Sequence, residues 1–280
     1  MTGYLDDIGL DTLISASLLE DIGTGDVTTL SCVPAEAASK AVFIAKESGV
    51  FCGMTVLQRV FQLLDTRVDV TPLFQDGDHV DKGAIIAEIQ GPSRSILTGE
   101  RTALNFIQHL SGIATRTSEA VLHLQGTAAA IVDTRKTTPG LRVLEKYAVS
   151  CGGGRNHRFG LSDGVLIKDN HIVAAGGIRA AVEAARKNAP HTLKIEVETE
   201  TLSQIAEALD ARADIIMLDN MTLEAMAEAV RFIDKRALTE ASGNMGDRDL
   251  KAVAETGVDF ISVGALTHSV RALDISLKFR

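Results

Sequence analysis

Beyond about residue 128 one pattern recurs: a short aliphatic run, a polar cluster, then a stretch with apolar residues three and four apart. The runs 130–133, 164–168, 193–197, 214–218, 237–239 and 259–263 predict strands. The stretches 178–187, 202–211, 223–233 and 247–255 predict helices that lie against a sheet. Alternation of this kind demands parallel strands, in a closed barrel or an open doubly wound sheet.

The polar residues fall at the strand ends, as in Asp133-Thr-Arg-Lys136, Lys168-Asp-Asn-His171, Glu196-Val-Glu198, Asp219-Asn220, Glu240-Ala-Ser-Gly243 and Gly264-Ala265. A barrel gathers such ends at one mouth. An open dinucleotide-binding sheet instead concentrates glycines in its first turn, and Gly152-Gly153-Gly154 does not have that form. Upstream, residues 97–124 read as one long helix, broken near Gly112, that joins two domains. Residues 76–80 and 82–89 have the rhythm of a β-hairpin. Carrier modules share that rhythm, but the exposed lysine they modify has no counterpart here.

Composition narrows the functions. The 280 residues suffice for a barrel plus a smaller domain, and a net charge of −9 argues against a general nucleic-acid binder. Cys32, Cys52 and Cys151 show no CxxC spacing, so neither a disulfide framework nor a zinc knuckle is expected, and a reducing cytoplasm fits. The first ten residues carry Asp6 and Asp7 and no basic segment before an apolar run, which argues against a signal peptide. No run is long enough to span a membrane.

Charge is local, however. From Asp133 to His171 seven basic residues face four acidic ones. Arg142 and Lys146 read as helix-surface charges, whereas Arg135, Lys136 and Lys168 follow apolar strands directly. A barrel aims those three into its mouth, where bare cations are costly without an anion. With His157 and Arg158 they suit a substrate bearing more than one acidic group. Glu198 and Asp219 end later strands and either hold Mg²⁺ or balance Lys136 and Lys168 as ion pairs. The turns Ser242-Gly243-Asn244 and Gly264-Ala265 offer backbone N–H groups of the kind that bind phosphate. His79, His109, His123 and His191 lack ligand-type companions and read as surface or helix residues. His157, flanked by arginines, reads as a donor to an anion.

The ordered motifs Asp133-Thr-Arg-Lys-Thr-Thr-Pro-Gly140, Gly152-Gly-Gly-Arg-Asn-His-Arg158, Leu166-Ile-Lys-Asp-Asn-His171, Glu196-Val-Glu198, Leu218-Asp-Asn220, Glu240-Ala-Ser-Gly-Asn244 and Val263-Gly-Ala-Leu-Thr-His268 resemble the quinolinate phosphoribosyltransferase family. So do Glu20-Asp-Ile-Gly-Thr-Gly-Asp-Val-Thr-Thr29 and Glu100-Arg-Thr-Ala-Leu-Asn105. The resemblance implies an α/β protein: a smaller N-terminal α/β sandwich over 1–111, an incomplete C-terminal α/β barrel over 112–270, and a segment 271–280 that packs back on the N-terminal domain. It implies carboxylating transfer from phosphoribosyl pyrophosphate to quinolinate, giving nicotinate mononucleotide for NAD synthesis, with Mg²⁺ as cofactor, in a cytoplasmic homodimer. Arg135, His157, Arg158 and Lys168 would hold the quinolinate carboxylates, with Arg101 supplied by the partner. Lys136, Glu198, Asp219, Ser242, Gly243 and Gly264 would contact the phosphoribosyl donor and its magnesium, Lys136, Glu198 and Asp219 taking the catalytic roles. Rival readings are a related transferase with another acceptor, a Schiff-base aldolase using Lys168, and a non-catalytic anion-binding protein.

Overall fold

The computed structural model describes residues 8–280; the expectation about a signal peptide falls mainly on residues outside that range. In chain order the elements are α1 (Ile8–Ile22), α2 (Val27–Cys32), β1 (Ala38–Ala45), β2 (Gly49–Val50), α3 (Met54–Leu64), β3 (Asp69–Pro72), β4 (His79–Val80), β5 (Ile85–Pro92) and α4 (Ser93–His123). They continue as β6 (Ala130–Val132), α5 (Arg142–Cys151), β7 (Val165–Ile167), α6 (Asp169–Ala175), α7 (Ile178–Asn188), β8 (Ile195–Thr199), α8 (Leu202–Asp210) and β9 (Ile215–Asp219). The last are α9 (Leu223–Ile233), β10 (Leu238–Ser242), α10 (Leu250–Glu255), β11 (Phe260–Ser262), α11 (Ala265–His268) and β12 (Ile275–Phe279).

The chain divides into two compact units. One holds the described residues up to Ser118, with Thr138–Gly153 and Ser269–Arg280; the other holds Glu119–Thr137 and Gly154–His268.

In the first unit β12, β1, β5 and β3 form an antiparallel sheet, and β2 pairs with β4. β1 buries Ala41, Val42, Phe43 and Ala45 along its apolar second half, residues 41–45. α3 repeats apolar residues at helical spacing and buries Met54, Val56, Leu57, Val60 and Phe61. The Phe43 and Phe61 rings meet in a tilted pair with centroids 6.4 Å apart. Each such buried side chain contributes on the order of 1.5–3 kcal/mol.

Three expectations need correction in this unit. The hairpin over 76–89 does not form, because β4 pairs with β2 while β5 is taken up between β1 and β3. The long helix is unbroken at Gly112: a Cβ there would lie 2.3 Å from the carbonyl oxygen of Arg271, so the glycine serves close approach of the C-terminal segment and not a bend. One predicted helix-surface charge, Lys146, is inside, and His109, expected as a surface or helix residue, is a half-buried helix residue with an acidic partner. Lys146 is buried because α5 is enclosed around much of its girth, burying Leu144, Glu145, Ala148 and Val149 as well. His109 Nε2 lies 2.8 Å from Glu145 Oε1, and Glu145 Oε2 accepts the Thr138 N–H.

The second unit is a parallel sheet in the order β6-β11-β10-β9-β8-β7. From β7 to β11 each strand is laid beside the last in chain order, and β6 follows β11, the circular order of an incomplete barrel open between β6 and β7. A doubly wound sheet reverses direction at a switch point and does not give this order. Arg155 adds a single parallel bridge to Val132 on the outer edge of β6. One face of the strands (Ile131, Ile167, Ile195, Val197, Ile216, Leu218, Ala241, Ile261) is buried and apolar. α7, α8, α9 and α10 supply matching stripes, such as Ile178, Ala181 and Val182 on α7 and Met226, Ala229 and Ile233 on α9. The opposite face reads Val132, Leu166, Glu196 and Glu198, Met217 and Asp219, Glu240 and Ser242, Ser262: largely polar, with the buried acids Glu196 and Glu240 set below the strand-end residues Glu198 and Ser242.

Candidate active site

At the carboxyl ends of these strands is a cavity of about 390 Å³. Its lining includes Arg135, Lys136, His157, Arg158, Lys168, Glu198, Asp219, Ser242 and Gly243, nine of the eleven residues singled out from sequence. Gly264 sits against it, since a Cβ there would meet Lys136 Cδ at 3.1 Å. Arg101 is exposed on α4 in the first unit and is not among the lining residues.

Local rules put each group in place. Past β6 the Lys136 N–H is held by Thr134 Oγ1 at 3.0 Å and the Lys136 carbonyl by Thr267 Oγ1 at 2.8 Å, fixing the backbone from which the lysine reaches. Lys168 caps α6, its N–H donating to His171 Nδ1 at 3.0 Å, and its Nζ lies 3.5 Å from Glu198 Oε2. Two-residue periodicity turns Glu196 and Glu198 of β8 to the same face, and likewise Glu240 and Ser242 of β10. The Asn220 N–H donates to the Ser242 carbonyl at 3.0 Å, tying the turn after β9 to the turn after β10. Gly243 makes that possible: at φ +100°, a Cβ would fall 2.2 Å from Asn220 Oδ1 and 2.8 Å from its backbone nitrogen.

The electrostatics are those of a site awaiting anions. Burial, and then the neighbouring Arg135 charge, pull the Arg158 guanidinium below the ordinary arginine range. Arg158 donates through Nη1 to the Gly164 carbonyl at 3.1 Å, while its buried Nε has no protein partner. Burial pushes the Glu198 carboxyl up; Lys168 opposes this, and Asp219 adds to it by like-charge repulsion. Glu198 is thus paired with Lys168, as one of the two open readings had it, yet still crowded by Asp219.

Beneath this layer lies a group that the sequence reading did not assemble. His157 Nε2 is 2.9 Å from Glu196 Oε2 and 3.5 Å from Glu240 Oε2, with both acids almost wholly buried. His157 Nδ1 accepts the Arg158 N–H at 2.7 Å, and the His157 N–H donates to Asp133 Oδ1 at 2.8 Å. The expectation of a histidine donating to a bound anion therefore meets a ring whose two nitrogens are both engaged within the protein. The available signal was the alternation Glu196/Glu198 and Glu240/Ser242, which puts a second acid one layer below each strand-end residue.

Sequence models of quinolinate phosphoribosyl transferase match the chain over both parts, the N-terminal domain at residues 26–111 and the C-terminal domain at residues 113–278. The chain belongs to the quinolinate phosphoribosyltransferase family. A probable nicotinate-nucleotide pyrophosphorylase [carboxylating] of Bacillus subtilis is 49% identical over 273 residues, covering 98% of this chain and 94% of that protein. The chloroplastic nicotinate-nucleotide pyrophosphorylase [carboxylating] of Arabidopsis thaliana is 43% identical, covering 96% and 82%. Among solved structures, the nicotinate-nucleotide pyrophosphorylase of Francisella tularensis superposes with a TM-score of 0.92 at 43% identity, covering 97% of this chain and 96% of that one. Membership in the quinolinate phosphoribosyltransferase family sets aside the aldolase reading of Lys168. Among the described residues no helix is long and apolar enough to cross a membrane.

Proposed function

We infer that this protein joins quinolinate to the phosphoribosyl group of phosphoribosyl pyrophosphate, releasing pyrophosphate and CO₂ and giving nicotinate mononucleotide. Family membership across both domains supports the chemistry. The observation that carries it on this chain is the cavity in which Arg135, Lys136, Arg158 and Lys168 converge opposite Glu198 and Asp219.

Arg135 and Arg158 take the two ring carboxylates, for which planar guanidinium groups are suited, and Lys168 adds a mobile positive charge. Lys136 and the backbone N–H groups of Ser242, Gly243 and Gly264 take the phosphates. The residues fit a magnesium ion: Glu198 and Asp219 are neighbouring carboxylates, Glu198 is pushed up by burial first and by the Asp219 charge as well, and oxygen ligands are what Mg²⁺ prefers. When bound, the ion would neutralise charge on the departing pyrophosphate. As that group leaves, positive charge builds on the ribosyl carbon, and Glu198 and Asp219 stabilise it while the pyridine nitrogen attacks. Positioning of two polyanions in one cationic cavity is the main contribution.

The working assembly is an even oligomer, with Arg101 reaching the partner's cavity; its exposure on α4 supports this. The three cysteines are free, which suits a reducing cytoplasm. The purified protein, given phosphoribosyl pyrophosphate and Mg²⁺, is expected to make nicotinate mononucleotide from quinolinate and not from nicotinate. Product from nicotinate would reassign the acceptor. Mixed dimers of Arg101→Ala and Lys168→Ala chains should recover part of the activity that each lacks alone.

A further inference from the structure

Loss of CO₂ leaves an electron pair on the ring carbon that bore the carboxylate, and that carbon must gain a proton. The site described so far is furnished with cations that bind anions and with carboxylates that face a cation. It has no assigned acid.

The floor of the cavity offers one. Glu240 lines the cavity from β10, 3.5 Å from His157 Nε2, which also contacts Glu196 on β8. The groups facing Glu240 are Glu196 on β8, His157 of the loop before β7, Asp133 after β6 and Ser262 on β11. Two buried carboxylates beside a single imidazole do not both ionise readily. The His157 ring takes the Arg158 N–H at Nδ1, so its one proton sits on Nε2 and goes to Glu196, the nearer acid. That leaves Glu240 as the acid that keeps a proton of its own. Burial and the Glu196 charge push its carboxyl up to about 8. Its Oε1 is buried and has no hydrogen-bond partner in the protein.

A second cavity, of about 310 Å³, opens at the amino ends of the strands and is lined by Thr192, Lys194 and Phe260. His157, Arg158 and Glu240 line both cavities and Glu196 lines the rear one, so this layer separates the reaction chamber from a rear chamber.

We propose that Glu240 is the proton donor to the ring carbon that loses CO₂, reloaded from solvent through the rear cavity. The step balances: the C–CO₂ bond breaks with its electrons left on carbon, that pair takes the Glu240 proton, and the resulting carboxylate regains a proton from water. The proposal rests on the carboxylating reading above.

Glu240→Gln tests it, because the amide matches the neutral acid in size and charge but cannot give up a proton. Pyrophosphate and CO₂ release are followed separately in wild type and variant. The variant is expected to release pyrophosphate at close to the wild-type rate in a first turnover, while CO₂ release slows by about a hundredfold or more and undecarboxylated mononucleotide accumulates. Wild-type rates for both would overturn the proposal. Should the variant melt at the assay temperature, the wild-type pH profile decides: decarboxylation falling as pH rises through about 8 while pyrophosphate release holds is expected, and two flat profiles overturn it. A wild type that releases no pyrophosphate with quinolinate would sink the functional reading itself, a different result from either.

Discussion

Gly243→Ala adds a single methyl group where two site-forming turns meet. The glycine has φ +100°, a conformation that costs an L-residue about 1–3 kcal/mol. The new Cβ would also lie 2.2 Å from Asn220 Oδ1 and 2.8 Å from Asn220 N. The side-chain oxygen can swing aside. The backbone nitrogen cannot, because it is held by the 3.0 Å bond to the Ser242 carbonyl, so the turn carrying Asp219 must move by several tenths of an ångström or more. The fold should lose about 2 kcal/mol, lowering Tm by roughly 4–8 °C in a chain of this size. Activity should fall much further, by about a hundredfold, since a shift near 1 Å between reacting groups costs that much. Steady-state kinetics with varied phosphoribosyl pyrophosphate, alongside a thermal melt, gives both numbers. An alanine variant with the wild-type Tm and wild-type kcat/KM would refute the argument that these turns depend on the missing side chain.

Other outcomes follow from the same geometry. Gly112→Val should destabilise the first unit by several kcal/mol, because its Cβ would sit 2.3 Å from the Arg271 carbonyl oxygen; denaturant unfolding measures the loss. Glu240 gives a pH signature in stability. Its folded pKa, raised to about 8, lies above the unfolded carboxyl value, so its contribution is fully present below about 4.5 and is lost as pH rises through about 8. Glu240→Gln should therefore gain in Tm relative to wild type between pH 6 and pH 9, and a constant Tm difference would contradict this. Arg158→Leu should raise KM for the dicarboxylate at least tenfold and cost the fold only about 1 kcal/mol, since the 3.1 Å bond from Nη1 to the Gly164 carbonyl is lost while the buried Nε has no protein partner to lose. Chelation of divalent cations should abolish turnover, and added Mg²⁺ should restore it.

The barrel was readable because its strands and helices carry different periodicities, and because polar residues collect just past each strand. The runs predicted at 130–133 and 214–218 fall within a residue of β6 and β9. The cavity was readable for the same reason, as a residue that follows a parallel strand has little choice of direction. What could not be read were contacts distant in sequence: the uptake of β5 between β1 and β3, the approach of Arg271 to Gly112, and the Glu145 partner of His109. The buried acid layer was hidden differently. Glu196 and Glu240 resemble any strand-end carboxylates until β8 and β10 are known to converge on the His157 ring.

The central claim is that one cationic cavity performs a transfer coupled to loss of CO₂. Its most direct test is the ratio of labelled CO₂ to pyrophosphate released from carboxyl-labelled quinolinate and phosphoribosyl pyrophosphate with Mg²⁺. The account predicts equal amounts, neither appearing without both substrates. Pyrophosphate without CO₂, or no reaction from a folded protein, would contradict it.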